Sequence, residues 1–140
     1  MSRTAGDRSR EAGSIALEFT LVAPALLLLI ALLLAYARVG QFSGTLDAGV
    51  RDAARSATLS RSAAAAQQQA VLVITDAVGP GPCAESLVVA AIPRFVAGEV
   101  VTVTASCRYP IADLGLPGAP GTLRATSSFS SPLDPNREIS

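Results

Sequence analysis

The chain has 140 residues, enough for one domain, and half of them are apolar, which excludes an intrinsically disordered chain. Its formal net charge is zero, so no bulk electrostatic attraction to nucleic acid is expected. It contains no histidine and only two cysteines, which removes the commonest general base and leaves too few ligands for a zinc site. We therefore expect no metal or other cofactor, no nucleic-acid partner and no small-molecule substrate.

Residues 1–13 are short, polar and charged, and we predict that they form a cytoplasmic leader peptide. The next segment, residues 14–37, is apolar and is the dominant feature, with no charge between positions 19 and 37. As a helix that rises about 1.5 Å per residue it spans about 36 Å, enough to cross a bilayer core of about 30 Å. The alternative is a buried helix of a soluble protein, but so small a chain has nothing to cover it on every side.

The orientation of this predicted membrane helix has to be inferred from its flanking segments. Arginines lie on both sides of the apolar segment, so the positive-inside rule barely distinguishes the two directions. The two cysteines and the polar, strand-like second half of the chain suit an oxidising exterior. We therefore predict a single pass through the cytoplasmic membrane, with the N-terminus inside and the carboxyl-terminal part outside, at the membrane or on a surface pilus.

Residues 38–78 are predicted to continue as a helical extension. Apolar side chains recur there at spacings of three, four or seven, which describes one narrow face built largely from small residues. The face comprises Leu46, Val50, Ala53, Ala57, Ala64, Val71, Ile74 and Val78. Glycines between positions 40 and 49 predict a bend near its start, and the Gly-Pro-Gly-Pro sequence at 79–82 ends it. Arg51 and Arg55 fit a solvated helix face or a docking surface.

Residues 79–140 are predicted to form a small extracytoplasmic β-rich domain with a flexible polar tail. Residues 86–92 are a short apolar run, and residues 99–107 alternate apolar and polar side chains, as a strand with one buried face does. Residues 93–98 would then be a hairpin loop, and residues 122–129 a third strand. The predicted fold class is α+β, a long N-terminal membrane helix followed by a small antiparallel sheet.

Cys83 and Cys107 are predicted to form a disulfide in this domain. If Ile92 pairs near Glu99, the hairpin register places the two cysteines about opposite each other, and the bond closes the open end of the hairpin. Closing a loop of about 25 residues contributes about 3 kcal/mol in the chain-entropy account. Free thiols and a redox pair are the alternatives.

A motif lies where the leader meets the apolar segment. Gly13 ends the leader, and Glu18, followed by Phe19, lies inside the apolar stretch. A carboxylate at the bilayer centre costs about 2.5–3.5 kcal/mol on insertion scales. If the chain is cut after Gly13, Ser14 acquires an α-amino group one turn from Glu18, and Glu18 of one subunit could neutralise that amine in its neighbour. The alternative is that Glu18 is a boundary residue whose carboxylate reaches the headgroups.

The spacing from Gly13 to Glu18 resembles the processing site of type IV pilins and pseudopilins. The wider segment resembles the TadE-like family of tight-adherence (Flp-type) pilus systems, in which a glycine, a Val-Glu-Phe-like triplet, a proline and an Ala-Arg-rich segment recur. Here these are Gly13, Leu17-Glu18-Phe19, Pro24 and residues 50–55. The resemblance implies cleavage after Gly13 by a prepilin peptidase, other pilins and pilus-assembly membrane proteins as partners, and a role as a minor pseudopilin or assembly factor.

Two other classes of function remain open. Ala35-Tyr36-Ala37 resembles a signal-peptidase site, and cleavage near Ala37 would release a small secreted disulfide-bonded protein. Against this, the apolar stretch is longer than the 7–15 residues of a signal core. The other class is an uncleaved single-span protein that anchors a binding domain or an enzyme. Because the sequence offers no catalytic constellation and no phosphate-binding loop, we predict that the protein is not an enzyme.

Overall fold

The computed structural model describes residues 5–115, 118–136 and 138, with side chains from Glu18 onward. This part of the chain has an α+β fold, as the sequence predicts. Its helices are α1 (Ala5–Ala57), α2 (Ala63–Val78) and α3 (Pro82–Glu85), and a 3-10 turn covers Ile111–Leu114. Its strands are β1 (Val88–Val89), β2 (Val100–Pro110) and β3 (Thr122–Pro132).

Helix α1 is 53 residues long and has two environments. In its first half, large apolar side chains are exposed on all sides, while its second half packs against α2, β2 and β3. We call the assembly of α2, α3 and the sheet on this second half the carboxyl-terminal domain. Helix α1 runs without interruption through the glycines at which a bend was predicted, Gly40, Gly44 and Gly49. Pro24 also lies inside the unbroken helix.

The helical extension predicted over residues 38–78 contains a break. Helix α1 ends at Ala57, α2 begins at Ala63, and the hydroxyl of Ser62 caps α2 by accepting a hydrogen bond from the amide of Ala65 at 3.3 Å. The intervening sequence is rich in serine and threonine, whose hydroxyls compete with helical hydrogen bonds. The Thr58 hydroxyl, for example, donates to the Arg55 carbonyl at 2.7 Å. The turn folds α2 back along α1.

The break also changes which side chains of α2 are buried. The predicted face is correct on α1, where Leu46, Val50, Ala53 and Ala57 are buried. On α2 it is only partly correct, since Ile74 is buried and Val78 half-buried but Ala64 and Val71 are exposed. The buried residues of α2 are Ala66, Ala70 and Ile74. A helical period can be followed only within one helix, and the turn at residues 58–62 resets its phase.

The sheet has strand order β1-β2-β3, and both pairs are antiparallel. Strand β2 alternates as predicted: Val101, Val103, Ala105, Cys107 and Tyr109 are buried, and the residues between them are not. Strand β3 pairs with β2 from Thr122 to Pro132, so the third strand is present and extends three residues beyond its predicted end. The inner face of these strands covers the second half of α1.

The first predicted strand is much shorter than expected, and its register is wrong. Only Val88 and Val89 pair with β2, opposite Ser106 and Ala105, so the predicted pairing of Ile92 near Glu99 does not occur. The side chain of Gln67 on α2 accounts for the early end. Its amide nitrogen donates to the Ala90 carbonyl at 3.2 Å, and its amide oxygen accepts from the Ile92 amide at 3.0 Å. These groups are therefore held by a helix instead of a neighbouring strand.

The Cys83–Cys107 disulfide is present, although for a different geometric reason. Cys83 lies on the one-turn helix α3, not on a strand, and its Cα is 4.9 Å from that of Cys107 on β2. The hydroxyl of Ser86 strengthens the same contact, accepting from the Arg108 amide at 2.8 Å. Both sulfur atoms are buried in the core of the carboxyl-terminal domain.

Candidate assembly site on the amino-terminal helix

Most of the exposed large apolar side chains of the described chain lie on the first half of α1. Within the described part of the chain, one helix is long and apolar enough to cross a membrane, over Glu18–Ala57, and only 6% of its most apolar window is buried. Side chains such as Phe19, Leu28 and Tyr36 are 72–79% exposed. No described residue outside α1 covers most of this surface, which is the kind of surface that lipid or other apolar helices cover.

Glu18 and Phe19 lie at the beginning of this apolar surface, and both are exposed. Among the residues whose side chains the structure describes, Glu18 forms no ion pair. Gly13 and Ser14 lie four to five residues earlier within the continuous backbone of α1, and their side-chain surroundings are outside the described part. Because residues four apart share a helix face, Ser14 and Glu18 lie one above the other on α1.

An aromatic contact joins the second half of α1 to the sheet of the carboxyl-terminal domain. The ring of Phe42 stacks on that of Tyr109 at the end of β2, with centroids 4.4 Å apart and planes 25° apart. Val39, Leu114 and Leu123 line a small apolar recess beside the pair. Burial raises the pKa of the Tyr109 phenol, so this ring remains neutral at physiological pH.

A second contact between α1 and the sheet uses Arg51. Its guanidinium carbon lies 5.4 Å from the centroid of the Phe129 ring on β3, within the range of a cation–π interaction. Arg51 therefore contacts the sheet of its own chain, whereas Arg55 is an exposed residue of the last turn of α1.

The sequence analysis missed these junction contacts, although a signal for one of them was present. The period that gives Leu46 and Val50 also places Phe42 on the same face when it is followed back by one turn. Ala35, two turns before Phe42, is likewise buried, with 7% exposure. No comparable signal pairs Arg51 with Phe129 or Gln67 with residues 90–92, because those contacts depend on tertiary packing.

The described residues contain little that resembles a catalytic or metal centre. No group of three or more histidine, cysteine, aspartate or glutamate side chains in this part of the chain could hold a metal ion. Both cysteines are used by the disulfide. The most extensive feature of the described residues is the exposed apolar surface of α1, with the Glu18 carboxylate at one end.

Comparison with known proteins finds a family that this helix resembles. A family model described as TadE-like protein matches residues 13–55, from Gly13 to two residues before the end of α1. No curated protein and no solved structure gives a significant match to the chain. The matched family belongs to tight-adherence pilus systems and is one of structural and assembly proteins, and α2 and the sheet lie beyond the matched segment. Residues 13–55, which lie in α1, are thus similar to the TadE-like family, the resemblance that the motif at Gly13 and Glu18 predicts.

Proposed function

We propose that the protein is a minor pseudopilin or assembly factor of a tight-adherence pilus. A prepilin peptidase removes residues 1–13, α1 spans the cytoplasmic membrane with its N-terminus inside, and the carboxyl-terminal domain stands outside. The observation that carries the proposal is the exposed apolar surface of α1 within a TadE-like segment that begins at Gly13. Other pilins and pilus-assembly membrane proteins would share this surface with the lipid.

The role of Glu18 follows from its isolation in the apolar surface. It is the only charged residue between positions 14 and 37, so a charge partner must come from elsewhere. Cleavage after Gly13 would create one, the α-amino group of Ser14. Within one chain that amine lies one turn away, and between chains the same attraction would hold two parallel helices at a fixed axial offset. Ion pairs in apolar surroundings contribute register and specificity more dependably than stability.

The processing step is tested by changing Gly13 to leucine. We expect Gly13→Leu to abolish conversion to the shorter form in cells that contain the peptidase, because a branched side chain would occupy the position next to the scissile bond. Immunoblotting against the carboxyl-terminal domain measures the conversion. Gly6→Leu is the matched control, since it places the same side chain in the leader away from the cut. Complete processing of Gly13→Leu would show that the cleavage site lies elsewhere.

Amino-terminal sequencing of the mature protein separates this proposal from its alternatives. A chain that begins at Ser14 supports the pilin-like interpretation, one that begins at Arg38 indicates a secreted protein, and an uncut chain indicates a plain anchor. In the second outcome α1 would be cut five residues before Phe42. The released chain would therefore keep the Phe42–Tyr109 contact.

The assembly role is tested by removing the carboxylate of Glu18. We expect Glu18→Ala and Glu18→Gln to insert and to form the disulfide normally, because an apolar or neutral side chain enters the bilayer more easily. Recovery of other pilus components by co-purification should fall about tenfold, equivalent to about 1.4 kcal/mol of lost interaction. Glu11→Ala, which removes a carboxylate from the leader, should leave recovery unchanged. Wild-type recovery and piliation with Glu18→Ala would reduce Glu18 to a boundary residue.

A further inference from the structure

Two arginines face each other across the β2–β3 hairpin without a compensating charge. The register pairs Arg108 directly with Arg124, and both side chains are exposed. They share the outer face of the sheet with Thr102 and Ser130, whose hydroxyl oxygens are 2.8 Å apart. Opposed side chains of this kind have Cβ atoms about 4.5–5.5 Å apart, and like charges there repel each other. Among the described residues, neither arginine forms an ion pair.

The contact between Tyr109 and Phe42 indicates where the Arg108–Arg124 pair lies along α1. Tyr109, the next residue after Arg108, stacks on Phe42, so the pair lies near the level of Phe42 along the helix. Phe42 is four residues beyond Arg38, the first charge after the apolar stretch, which is about 6 Å along a helix axis. Headgroups extend about 5–8 Å beyond the hydrocarbon core on each side. If the hydrocarbon core of the bilayer ends near Arg38, the side chains of Arg108 and Arg124 lie among the lipid headgroups.

The chain between the two arginines continues toward the apolar part of α1. After β2 the 3-10 turn Ile111–Leu114 contacts α1, and Leu114 shares the recess with Val39. Ala112 is exposed on this turn, and Leu123 at the start of β3 is 42% exposed. The exposed residues of the turn are Ala112 and Asp113, and the turn borders the helix that the proposed span places in the bilayer.

The charges around the turn favour an anionic surface over a neutral one. Arg38, Arg108 and Arg124 are exposed there, and Asp113 is the opposing charge on the turn itself. Guanidinium groups bind phosphate oxygens with two parallel hydrogen bonds, and a pair of them held at one height suits a layer of phosphates. A phosphate between Arg108 and Arg124 would also remove the repulsion that the register imposes.

We propose that the 3-10 turn Ile111–Leu114 is a membrane-docking element: Ala112 lies in the outer interface of the bilayer, and the Arg108–Arg124 pair binds the phosphates of anionic lipids. The inference rests on the proposed membrane span of α1 but not on any pilus partner. Its consequence is that the domain is fixed at two points, through α1 and through the turn, and cannot swing freely above the membrane.

The chain contains no tryptophan, which provides a clean test. Ala112→Trp places a single fluorophore on the turn, and Val96→Trp places one on the exposed loop at the other end of the hairpin. Leu28→Trp reports on insertion of α1. Each full-length variant is reconstituted into vesicles of phosphatidylcholine, with or without phosphatidylglycerol. Quenching by spin-labelled headgroups and by lipids brominated on the acyl chains then measures the depth of each residue.

We expect headgroup quenching of Ala112→Trp to rise several-fold when phosphatidylglycerol is present and that of Val96→Trp to stay low. Adding Arg108→Gln and Arg124→Gln to the Ala112 reporter should remove the rise. The charge-matched control, Arg61→Gln with Arg94→Gln, changes two exposed arginines elsewhere and should leave the rise intact. Equal quenching in both kinds of vesicle, or no effect of the paired change, would overturn the proposal.

Two further outcomes separate this inference from the proposals on which it depends. If Leu28→Trp is not quenched by brominated lipid, the membrane span itself fails. If Leu28→Trp is quenched but Ala112→Trp is shielded from both the lipid quenchers and acrylamide, the turn is covered by a second copy of the chain, and lipid docking is wrong. The vesicles contain no pilus components, so a failed cleavage or assembly experiment leaves these results unaffected.

Discussion

Loss of the Cys83–Cys107 disulfide should lower the free energy of unfolding of the carboxyl-terminal domain by about 3 kcal/mol, because the bond closes a loop with a sequence separation of 24. Between Cys83 and the start of β2, the only strand is the two-residue β1. Hydrogen bonds from Ser86 and Gln67 also hold this segment, and each contributes about 0.5–1.5 kcal/mol. Pulse proteolysis in urea, in a mild detergent, measures the change for the paired variant Cys83→Ala and Cys107→Ala.

The matched comparison is the wild-type chain with and without reductant. Reduced wild type and the paired alanine variant should unfold at similar urea concentrations, well below that of the oxidised protein. Mass spectrometry without reductant should give a mass two daltons below that of the dithiol form. Free alkylation of both cysteines in the native protein, or equal stability of the oxidised and reduced chains, would contradict a structural role for the bond.

The sequence was sufficient for the features that depend on composition and local pattern. An uncharged stretch from residue 19 to 37 can only be a helix that is covered by lipid or protein, and the structure has it as part of α1. The alternation along β2 is likewise a local property of its sequence. The pairing of Cys83 with Cys107 could be predicted because the described chain offers no other cysteine.

The features that the sequence did not predict depend on contacts between distant residues. The length of β1 was misjudged because one side chain, Gln67, bonds to Ala90 and Ile92 across more than 20 residues. The helix break at residues 58–62 was missed because alanines on both sides have strong helix propensity and conceal the capping signal of Ser62. The residues of the candidate assembly site are neighbours along one helix, so their relative positions follow from the sequence, whereas their role in assembly stays a prediction.

Helices α1 and α2 pack closely at Gly49, where we expect the second large effect of a substitution on stability. A Cβ atom added at Gly49 would lie 2.9 Å from the Cβ of Ala77, closer than two carbon atoms can pack, and Cα of Ile74 lies 3.7 Å away. A leucine there must push α2 off α1 and open the core around Ile74. We expect Gly49→Leu to lower the free energy of unfolding of the carboxyl-terminal domain by about 3 kcal/mol or more, the upper range for overpacking a core.

Glycine itself disfavours helix, so the sign of the smaller change Gly49→Ala is the sharper test. In an open helix, glycine-to-alanine changes contribute about 1 kcal/mol of stability. Gly40→Ala and Gly44→Ala are the matched controls, since a Cβ at either position meets nothing within 4 Å, and they should leave stability unchanged or raise it. At Gly49 the overlap with Ala77 should outweigh the propensity gain, so Gly49→Ala destabilises the domain. Adding Ala77→Gly should recover part of the loss, because it removes the atom that the new Cβ meets. If Gly49→Ala were as stable as its two controls, the helices would have room to separate, and the tight α1–α2 contact would not be what holds this domain on α1.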